Sequence, residues 1–205
     1  MTTLEPRIYL ASQSPRRREL LAQIGIRFDL LLFRGDRRAD PDTNEDPLPD
    51  EAPEPYALRV AAAKAQHGAR LLALRRLQER PVLAADTTLD FEGQIIGKPT
   101  DDADAIAILT RLSGRTHRVL TAIAVAQKER LETRLSVSEV RFRSLSADEI
   151  QRYVASGEPH DKAGAYGLQG RAALFVEQVS GSPSGIVGLP LCETALLLRA
   201  FGYPA

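Results

Sequence analysis

The segment Arg7–Phe33, with the sequence RIYLASQSPRRRELLAQIGIRFDLLLF, decides the fold that the sequence predicts. It begins and ends with short apolar runs, Arg7–Ala11 and Ile26–Phe33, which are typical of β-strands. Between these runs Ser14 is a favourable N-cap and Pro15 suits the first position of a helix, and helical apolar spacing follows. The order of strand, helix and strand favours an α/β or α+β domain.

The rest of the chain continues to mix helices with strands. The predicted elements are a helix over Tyr56–Gln78, a strand over Val82–Ala85 that ends at Asp86, a hairpin over Leu89–Ile96, a helix over Asp101–Leu112, strands over Thr116–Gln127 and Leu131–Phe142, a helix over Ser146–Ala155, a strand over Ala172–Val179 and a helix over Leu189–Phe201. The hairpins imply antiparallel pairs beside parallel ones. No shift of composition marks a domain boundary, so we expect one domain over residues 1–205.

The overall charge and composition exclude several classes of protein. The 27 basic residues balance the 27 acidic ones, which leaves no global attraction for nucleic acid or for an anionic membrane. No window approaches the roughly 18 apolar residues of a membrane helix, and no signal peptide is recognisable. Cys192 is the single cysteine, and the three histidines lack zinc-site spacing. We therefore expect a cytoplasmic protein without a nucleic-acid or membrane partner.

Residues Asp40–Pro55 differ in composition from their surroundings. They include seven carboxylates, five prolines and no basic residue. This composition is typical of a surface loop rather than of a helix or strand. We expect an acidic, proline-rich loop over about residues 38–55, and an acidic interaction arm is the less favoured interpretation.

The start of the first predicted helix is a candidate phosphate site. Unpaired N–H groups and a partial positive charge at a helix N-terminus favour a bound anion. The hydroxyls of Ser12 and Ser14 and the guanidiniums of Arg16 and Arg17 add donors at this end. Because Arg16, Arg17 and Arg18 oppose the helix dipole, an anion would explain their position. Solvated arginines beside an ordinary N-cap are the alternative.

Three further segments carry candidate site residues. Asp86 follows an apolar run, where open α/β sheets place ligands, and its carboxylate is suited to bind Mg²⁺ or accept a proton. An Asp that only caps its own turn is the alternative. Lys98 precedes a proline, and Lys162 lies in the glycine-rich segment Asp161–Gly170, whose glycines would allow a ligand to approach the backbone. Together these residues predict a triphosphate pocket with a metal at Asp86.

Lysine is scarce in this chain, with 23 Arg but only four Lys. Three of the four, Lys64, Lys98 and Lys162, fall in the segments proposed to form the pocket. A compact ammonium serves a phosphate as a point charge where a guanidinium does not fit. The distribution of lysine therefore favours a local excess of positive charge in a chain that is neutral overall.

Five segments, in order, resemble the signatures of the Maf family of nucleoside triphosphate pyrophosphatases. They are LASQSPRRRELL, AADTTLDFEGQIIGKP, LSGRTHRVLTAIAV, EPHDKAGAYGLQGRAALFV and VGLPLCET, and the resemblance runs from about Ile8 to Phe201. It implies a Maf/ITPase-like α/β (α+β) fold, with a central twisted mixed sheet flanked by helices and two lobes around a cleft. It also implies cleavage of the α–β phosphoanhydride of a nucleoside triphosphate with Mg²⁺ or Mn²⁺, in the housecleaning of nucleotide pools. Members are commonly homodimers.

The resemblance also implies roles for individual residues. Asp86 corresponds to the catalytic proton acceptor, beside its proposed role as a metal ligand. The predicted phosphate-binding residues are Ser12, Arg16, Lys64, Lys98 and Lys162, with Ser14 added from the helix terminus. Arg17, Thr87 and Gln169 correspond to positions associated with base choice. Their combination resembles the branch that acts on dTTP and UTP, whereas the branch that acts on 7-methyl-GTP typically has an aromatic residue in place of Arg17.

One segment departs from the family pattern, which has an acidic pair after the second strand. Here Asp36 supplies one carboxylate, a candidate metal ligand, and Arg37 occupies the place of its partner. Two alternatives to dTTP and UTP hydrolysis stay open. One is the same chemistry on modified nucleotides such as 7-methyl-GTP, and the other is a nucleotide-binding regulator with weak catalysis.

Overall fold

The computed structural model describes residues 6–33 and 44–204. In this part of the chain one sheet contains β1 (Ile8–Leu10), β2 (Phe28–Leu30), β3 (Val82–Phe91), β4 (Gln94–Ile96), β5 (Thr116–Gln127), β6 (Arg130–Phe142) and β7 (Val176–Ser180). The helices are α1 (Pro15–Gln23), α2 (Pro53–Leu74), α3 (Asp102–Leu112), α4 (Ala147–Val154), α5 (Pro183–Val187) and α6 (Leu191–Ala200). The expected α/β fold with a central mixed sheet flanked by helices is confirmed.

The order of the strands identifies one edge of the sheet as a natural place for a ligand. The strands lie in the order β2-β1-β3-β5-β6-β7, with β4 paired to β3. β1 is parallel to β2 and β3, whereas the other pairs are antiparallel. The chain leaves β1 through α1 to β2 on one side and then passes through α2 to β3 on the other. Open α/β sheets bind ligands where connections diverge in this way, beyond the carboxyl end of a strand.

The middle of β3 has one open side. β1 pairs with β3 only at Val82 and Leu83, and β4 pairs with it only from Leu89 to Phe91. On the opposite side β5 pairs with β3 without interruption from Val82 to Asp90. Between the two short neighbours, residues 84–88 face no paired strand of the described chain on that side. A cleft opens at this gap.

The prediction that a strand ends at Asp86 is wrong. β3 continues to Phe91, because Thr87 and Thr88 suit an extended backbone, residues up to Asp90 pair with β5, and Phe91 pairs with Gln94 of β4. Asp86 therefore lies inside a strand, where pairing holds its backbone. Since side chains alternate along a strand, Asp86 points towards the α2 face of the sheet and Thr87 towards the α1 face.

Two predicted elements differ in detail from the structure. The predicted helix covered Tyr56–Gln78, whereas α2 is continuous from Pro53 to Leu74. Gly68 lets α2 pack closely on the sheet, since a Cβ at that position would lie 2.7 Å from Val82 Cγ1. The strand predicted over Ala172–Val179 begins only at Val176, because a 3₁₀ turn covers Arg171–Phe175. The helix α5 was not predicted.

Three apolar clusters hold the helices against the sheet. One face of β3 and β5 packs on α1 and α6, and the opposite face packs on α2, where alanines allow a close approach. A third cluster joins α3 and α4 to the far ends of the same strands. The cleft lies between the clusters, because its lining includes Leu31 from the α2 side and Leu89 and Tyr166 from the third cluster. Within the described ranges, no helix has the length and apolar character needed to span a membrane.

Candidate active site

The cleft beside β3 has a volume of about 1120 Å³. It is lined by every predicted site residue that the structure describes: Ser12, Ser14, Arg16, Arg17, Lys64, Asp86, Thr87, Lys98, Lys162 and Gln169. These residues come from the start of α1, from α2 and β3, from the loop after β4 and from the segment before β7. Asp36 and Arg37 lie outside the described residues, so the metal ligand predicted at Asp36 stays a prediction.

The start of α1 forms one end of the cleft. Ser14 is the N-cap, its Oγ accepts a hydrogen bond from the Arg17 amide at 3.5 Å, and Pro15 follows, as predicted. The Ser14 amide donates in turn to Ser12 Oγ at 3.2 Å. The first turn contains no acidic residue. The positive end of this helix and the Arg16 side chain are therefore both available to an anion in the cleft.

Arg17 is partly buried and donates hydrogen bonds from all three nitrogens of its guanidinium. Its Nε donates to Gly188 O at 2.8 Å, and its terminal nitrogens donate to Ser12 Oγ at 3.3 Å and Thr87 Oγ1 at 3.2 Å. Burial lowers the pKa of its guanidinium, while the negative charge of Asp86 acts in the opposite direction. The structure thus brings two predicted base-selecting residues, Arg17 and Thr87, into direct contact. Gln169 lines the same cleft.

We call Lys64, Asp86 and Glu45 the acidic side of the cleft. Lys64 Nζ lies 2.9 Å from Asp86 Oδ1 and 3.1 Å from Glu45 Oε2. Asp86 reaches this position because it points towards α2, which carries Lys64. Glu45 belongs to the segment expected to be an acidic surface loop, and it is not among the predicted site residues. The only signal for it in the sequence was the density of carboxylates immediately before α2.

The acidic side has the chemistry of a divalent-cation site. Two carboxylate oxygens, from Asp86 and Glu45, converge on one ammonium group, and carboxylate oxygen is the ligand that Mg²⁺ and Mn²⁺ prefer. In the described part of the chain no cluster of three or more His, Cys, Asp or Glu residues could hold a metal. Two carboxylates alone suit a cation that completes its coordination with water and substrate phosphates, as Mg²⁺ usually does.

We call Arg16, Lys98, Asp161 and Lys162 the basic side of the cleft. The Asp161 carboxylate lies 3.2 Å from Arg16 and 2.6 Å from Lys162 Nζ. Burial raises the pKa of the Asp161 carboxyl, but the hydrogen bond and charge of Lys162 and the charge of Arg16 outweigh burial and lower it. Lys98 has no ion-pair partner among the described residues.

The glycine-rich segment contains one glycine that makes room for a lysine of the cleft. A Cβ at Gly167 would lie 2.8 Å from Lys162 Cδ, so this glycine makes room for the side chain of the lysine. Lys162 Nζ also donates to Glu158 O at 2.6 Å. The absence of a side chain at Gly167 therefore helps to place the Lys162 ammonium in the cleft, and the approach of a ligand to the backbone of this segment stays a prediction.

The fold is a mixed-sheet α/β domain, and its cleft is acidic on one side and basic on the other. The model of the family described as Maf-like protein matches residues 7–201, and the chain belongs to this family. It is 62% identical over 205 residues to the dTTP/UTP pyrophosphatase of Aromatoleum aromaticum, with 100% of both chains covered. It is 60% identical to the dTTP/UTP pyrophosphatase of Dechloromonas aromatica, over 96% of this chain and 98% of that protein. Among solved structures, the Staphylococcus aureus Ham1 protein aligns with a TM-score of 0.46 and 15% identity, over 95% of this chain and 97% of that chain.

Proposed function

We propose that this chain is a nucleoside triphosphate pyrophosphatase that hydrolyses dTTP and UTP to the monophosphate and pyrophosphate. The observation that carries the proposal is the cleft, which combines a carboxylate inside a strand, Asp86, with several cations on its opposite side. The proposal is further supported by relatives that bear this name and are 62% and 60% identical over nearly the whole chain.

The two sides of the cleft would divide the chemistry between them. Arg16, Lys98 and Lys162 bind the phosphates and offset the charge that develops on the departing pyrophosphate. Asp86 accepts a proton from the water that attacks the α-phosphorus. Asp86 and Glu45 would hold Mg²⁺ or Mn²⁺, which when bound supplies positive charge to the phosphate oxygens. Positioning and electrostatics thus provide most of the rate enhancement, as is usual for phosphoryl chemistry.

Base selection would depend on Arg17, Thr87 and Gln169. Because Arg17 is held by Gly188, Ser12 and Thr87, it fixes the shape of the wall that the base meets. The amide of Gln169 offers both a donor and an acceptor. Thymine and uracil share an adjacent carbonyl acceptor and N–H donor, so one amide suits both bases.

The proposed setting follows from the substrate. We infer a cytoplasmic role in the housecleaning of nucleotide pools, which suits an exposed free cysteine, Cys192, in a reducing compartment. We also propose a homodimer, as is common among the proteins that the sequence resembles. Light scattering at micromolar concentration tests the assembly, and a monomeric mass would refute it.

A substrate panel tests the proposed function. Pyrophosphate release is measured from dTTP, UTP, 7-methyl-GTP and ATP, with Mg²⁺ and with a chelator. We expect turnover of dTTP and UTP that requires the metal. Preference for 7-methyl-GTP would favour the clean-up of modified nucleotides, and nucleotide binding without turnover would favour a regulator.

Asp86→Asn tests the catalytic assignment within the same assay. The substitution keeps the shape of the side chain but removes its charge, so we expect turnover of dTTP to fall by about 10³-fold or more. Asp29→Asn is the matched control, because Asp29 pairs with Arg7 and Arg80 and does not line the cleft. Turnover of Asp86→Asn at the wild-type rate would rule out Asp86 as the proton acceptor.

A further inference from the structure

The acidic segment is attached to α2 by a network centred on Arg59. Arg59 donates from Nε and a terminal nitrogen to the two carboxylate oxygens of Glu51, each at 2.7 Å. Its terminal nitrogens also donate to Asn44 O and Asp46 O, each at 2.9 Å. These two carbonyls flank Glu45, the residue that completes the acidic side of the cleft. Bidentate, charge-assisted hydrogen bonds of this kind are strong and directional.

A second side chain of α2 binds the carbonyl between them. Tyr56 OH donates to Glu45 O at 2.8 Å. Residues three positions apart lie on the same face of a helix, so Tyr56 and Arg59 together hold the carbonyls of three successive residues. Glu51 also holds the segment, since its Oε2 accepts a hydrogen bond from the Leu48 amide at 3.0 Å. The backbone around Glu45 is thus held by side chains rather than by a helix or strand.

This attachment opposes a repulsion that the segment would otherwise meet. The segment carries the carboxylates Glu45, Asp46, Asp50, Glu51 and Glu54, and Glu45 contacts the same ammonium as Asp86, an approach that like charges disfavour. Arg59 places a cation among them, and its own hydrogen bond to Glu51 lowers the pKa of that carboxyl to about 2, which keeps the pair ionised. The Glu51 side chain is only 9% exposed, so solvent competes little for the contact.

We propose that Arg59 is a positioning residue, which holds the Glu45 carboxylate beside Asp86 and thereby sets the affinity of the site for its divalent cation. The inference depends on the metal-binding part of the proposed function. Residues that orient metal ligands through hydrogen bonds typically change metal affinity by about 10–100-fold when they are substituted. Arg59 acts through the backbone of its target and touches neither substrate nor metal.

The chain contains a matched control for this network. Arg143 donates to both carboxylate oxygens of Glu149, at 2.6 Å and 3.3 Å, and also to Leu174 O and Ser144 O, at 2.9 Å and 3.0 Å. Its hydrogen bond likewise lowers the pKa of the paired carboxyl, Glu149, to about 2. Arg143 and Glu149 do not line the cleft. The two arginines therefore make similar bonds and differ in what they attach.

The experiment measures Mn²⁺ binding to the nucleotide-free protein by calorimetry, together with the melting temperature. We expect Arg59→Gln and Glu45→Gln each to weaken Mn²⁺ binding about tenfold, and Arg143→Gln to leave it unchanged. The double variant Arg59→Gln/Glu45→Gln is expected to bind no more weakly than Glu45→Gln alone, because both substitutions remove the same ligand. At saturating metal, dTTP turnover of Arg59→Gln should return to within about twofold of wild type.

Each other outcome has a definite meaning. If Glu45→Gln weakens Mn²⁺ binding while Arg59→Gln does so no more than Arg143→Gln, the positioning role is overturned and the proposed function stands. Additive losses in the double variant would also overturn it. Unchanged Mn²⁺ binding in both Glu45→Gln and Asp86→Asn would instead refute the metal site itself. Should Arg59→Gln fail to fold, Arg59→Lys keeps the charge but cannot donate two parallel hydrogen bonds to one carboxylate. The same comparison is then made between Arg59→Lys and Arg143→Lys.

Discussion

On the acidic side of the cleft one ammonium lies between two carboxylates, and on the basic side one carboxylate lies between two cations. Lys64 is 2.9 Å from Asp86 and 3.1 Å from Glu45, whereas Asp161 is 3.2 Å from Arg16 and 2.6 Å from Lys162. Each set of three carries one charge in excess, negative in the first and positive in the second. The central group in each set has the charge of the ligand that the side would bind.

This mirror arrangement shows how a chain with no net charge can serve a metal-bound triphosphate. Under the proposed function, Lys64 occupies the place that a divalent cation would take between two carboxylates, and Asp161 occupies the place that a phosphate would take between two cations. Each side is thereby neutralised in part before any ligand arrives, which limits repulsion within the cleft. The comparison predicts that substitutions on one side alter metal binding and substitutions on the other alter nucleotide binding.

Apart from Asp86→Asn, the largest expected effect comes from removing a cation of the basic side. Lys162→Ala should lower kcat/KM for dTTP about 100-fold, because a hydrogen bond to a charged phosphate contributes about 3 kcal/mol. Steady-state kinetics at saturating Mg²⁺ measures it. Lys128→Ala is the control, since Lys128 is 72% exposed, pairs with Glu79 and lies outside the cleft. Equal kinetics for the two variants would remove Lys162 from the phosphate site and break the comparison.

An intermediate effect is expected on the acidic side. Lys64→Met retains the length and packing of the side chain but removes the ammonium that competes with a metal for Asp86 and Glu45. Calorimetry without nucleotide should show Mn²⁺ binding about tenfold tighter than in wild type. Weaker binding would mean that Lys64 organises the two carboxylates instead of competing with the cation, and the mirror relation between the sides would then be false.

The parts of the fold that the sequence predicted are those with local causes. Ser14 and Pro15 start α1, and the capping box of Ser146 and Glu149 starts α4, because hydrogen bonds within one turn decide where a helix begins. The turn of the β3–β4 hairpin is equally local, with positive φ angles of 56° at Glu92 and 80° at Gly93. Such features depend on neighbours in the sequence.

The parts that the sequence did not predict depend on distant contacts. β3 extends past Asp86 because β5, some thirty residues later, pairs with it as far as Asp90. Glu45 joins the site because Arg59 and Tyr56 bind the backbone around it. No local sequence pattern around Arg59 or Tyr56 predicts these contacts. The predicted pocket residues converge as expected. Local patterns indicated an anion site at the start of α1 and a metal at Asp86, whereas the roles in proton transfer and base choice came from the resemblance of several motifs together.

The smallest expected effect is that of substituting Asp161, the carboxylate between the two cations of the basic side. Asp161 is 62% exposed, and ion pairs of exposed carboxylates contribute at most about 1 kcal/mol, so Asp161→Asn should lower KM for dTTP only about threefold. Because its two cations lower the pKa of Asp161, the carboxylate is ionised throughout the neutral range. The ratio of the KM of Asp161→Asn to that of the wild type should therefore be the same at pH 6 and at pH 9. A higher KM in Asp161→Asn would show that the carboxylate positions Arg16 and Lys162 for the substrate, rather than occupying its place.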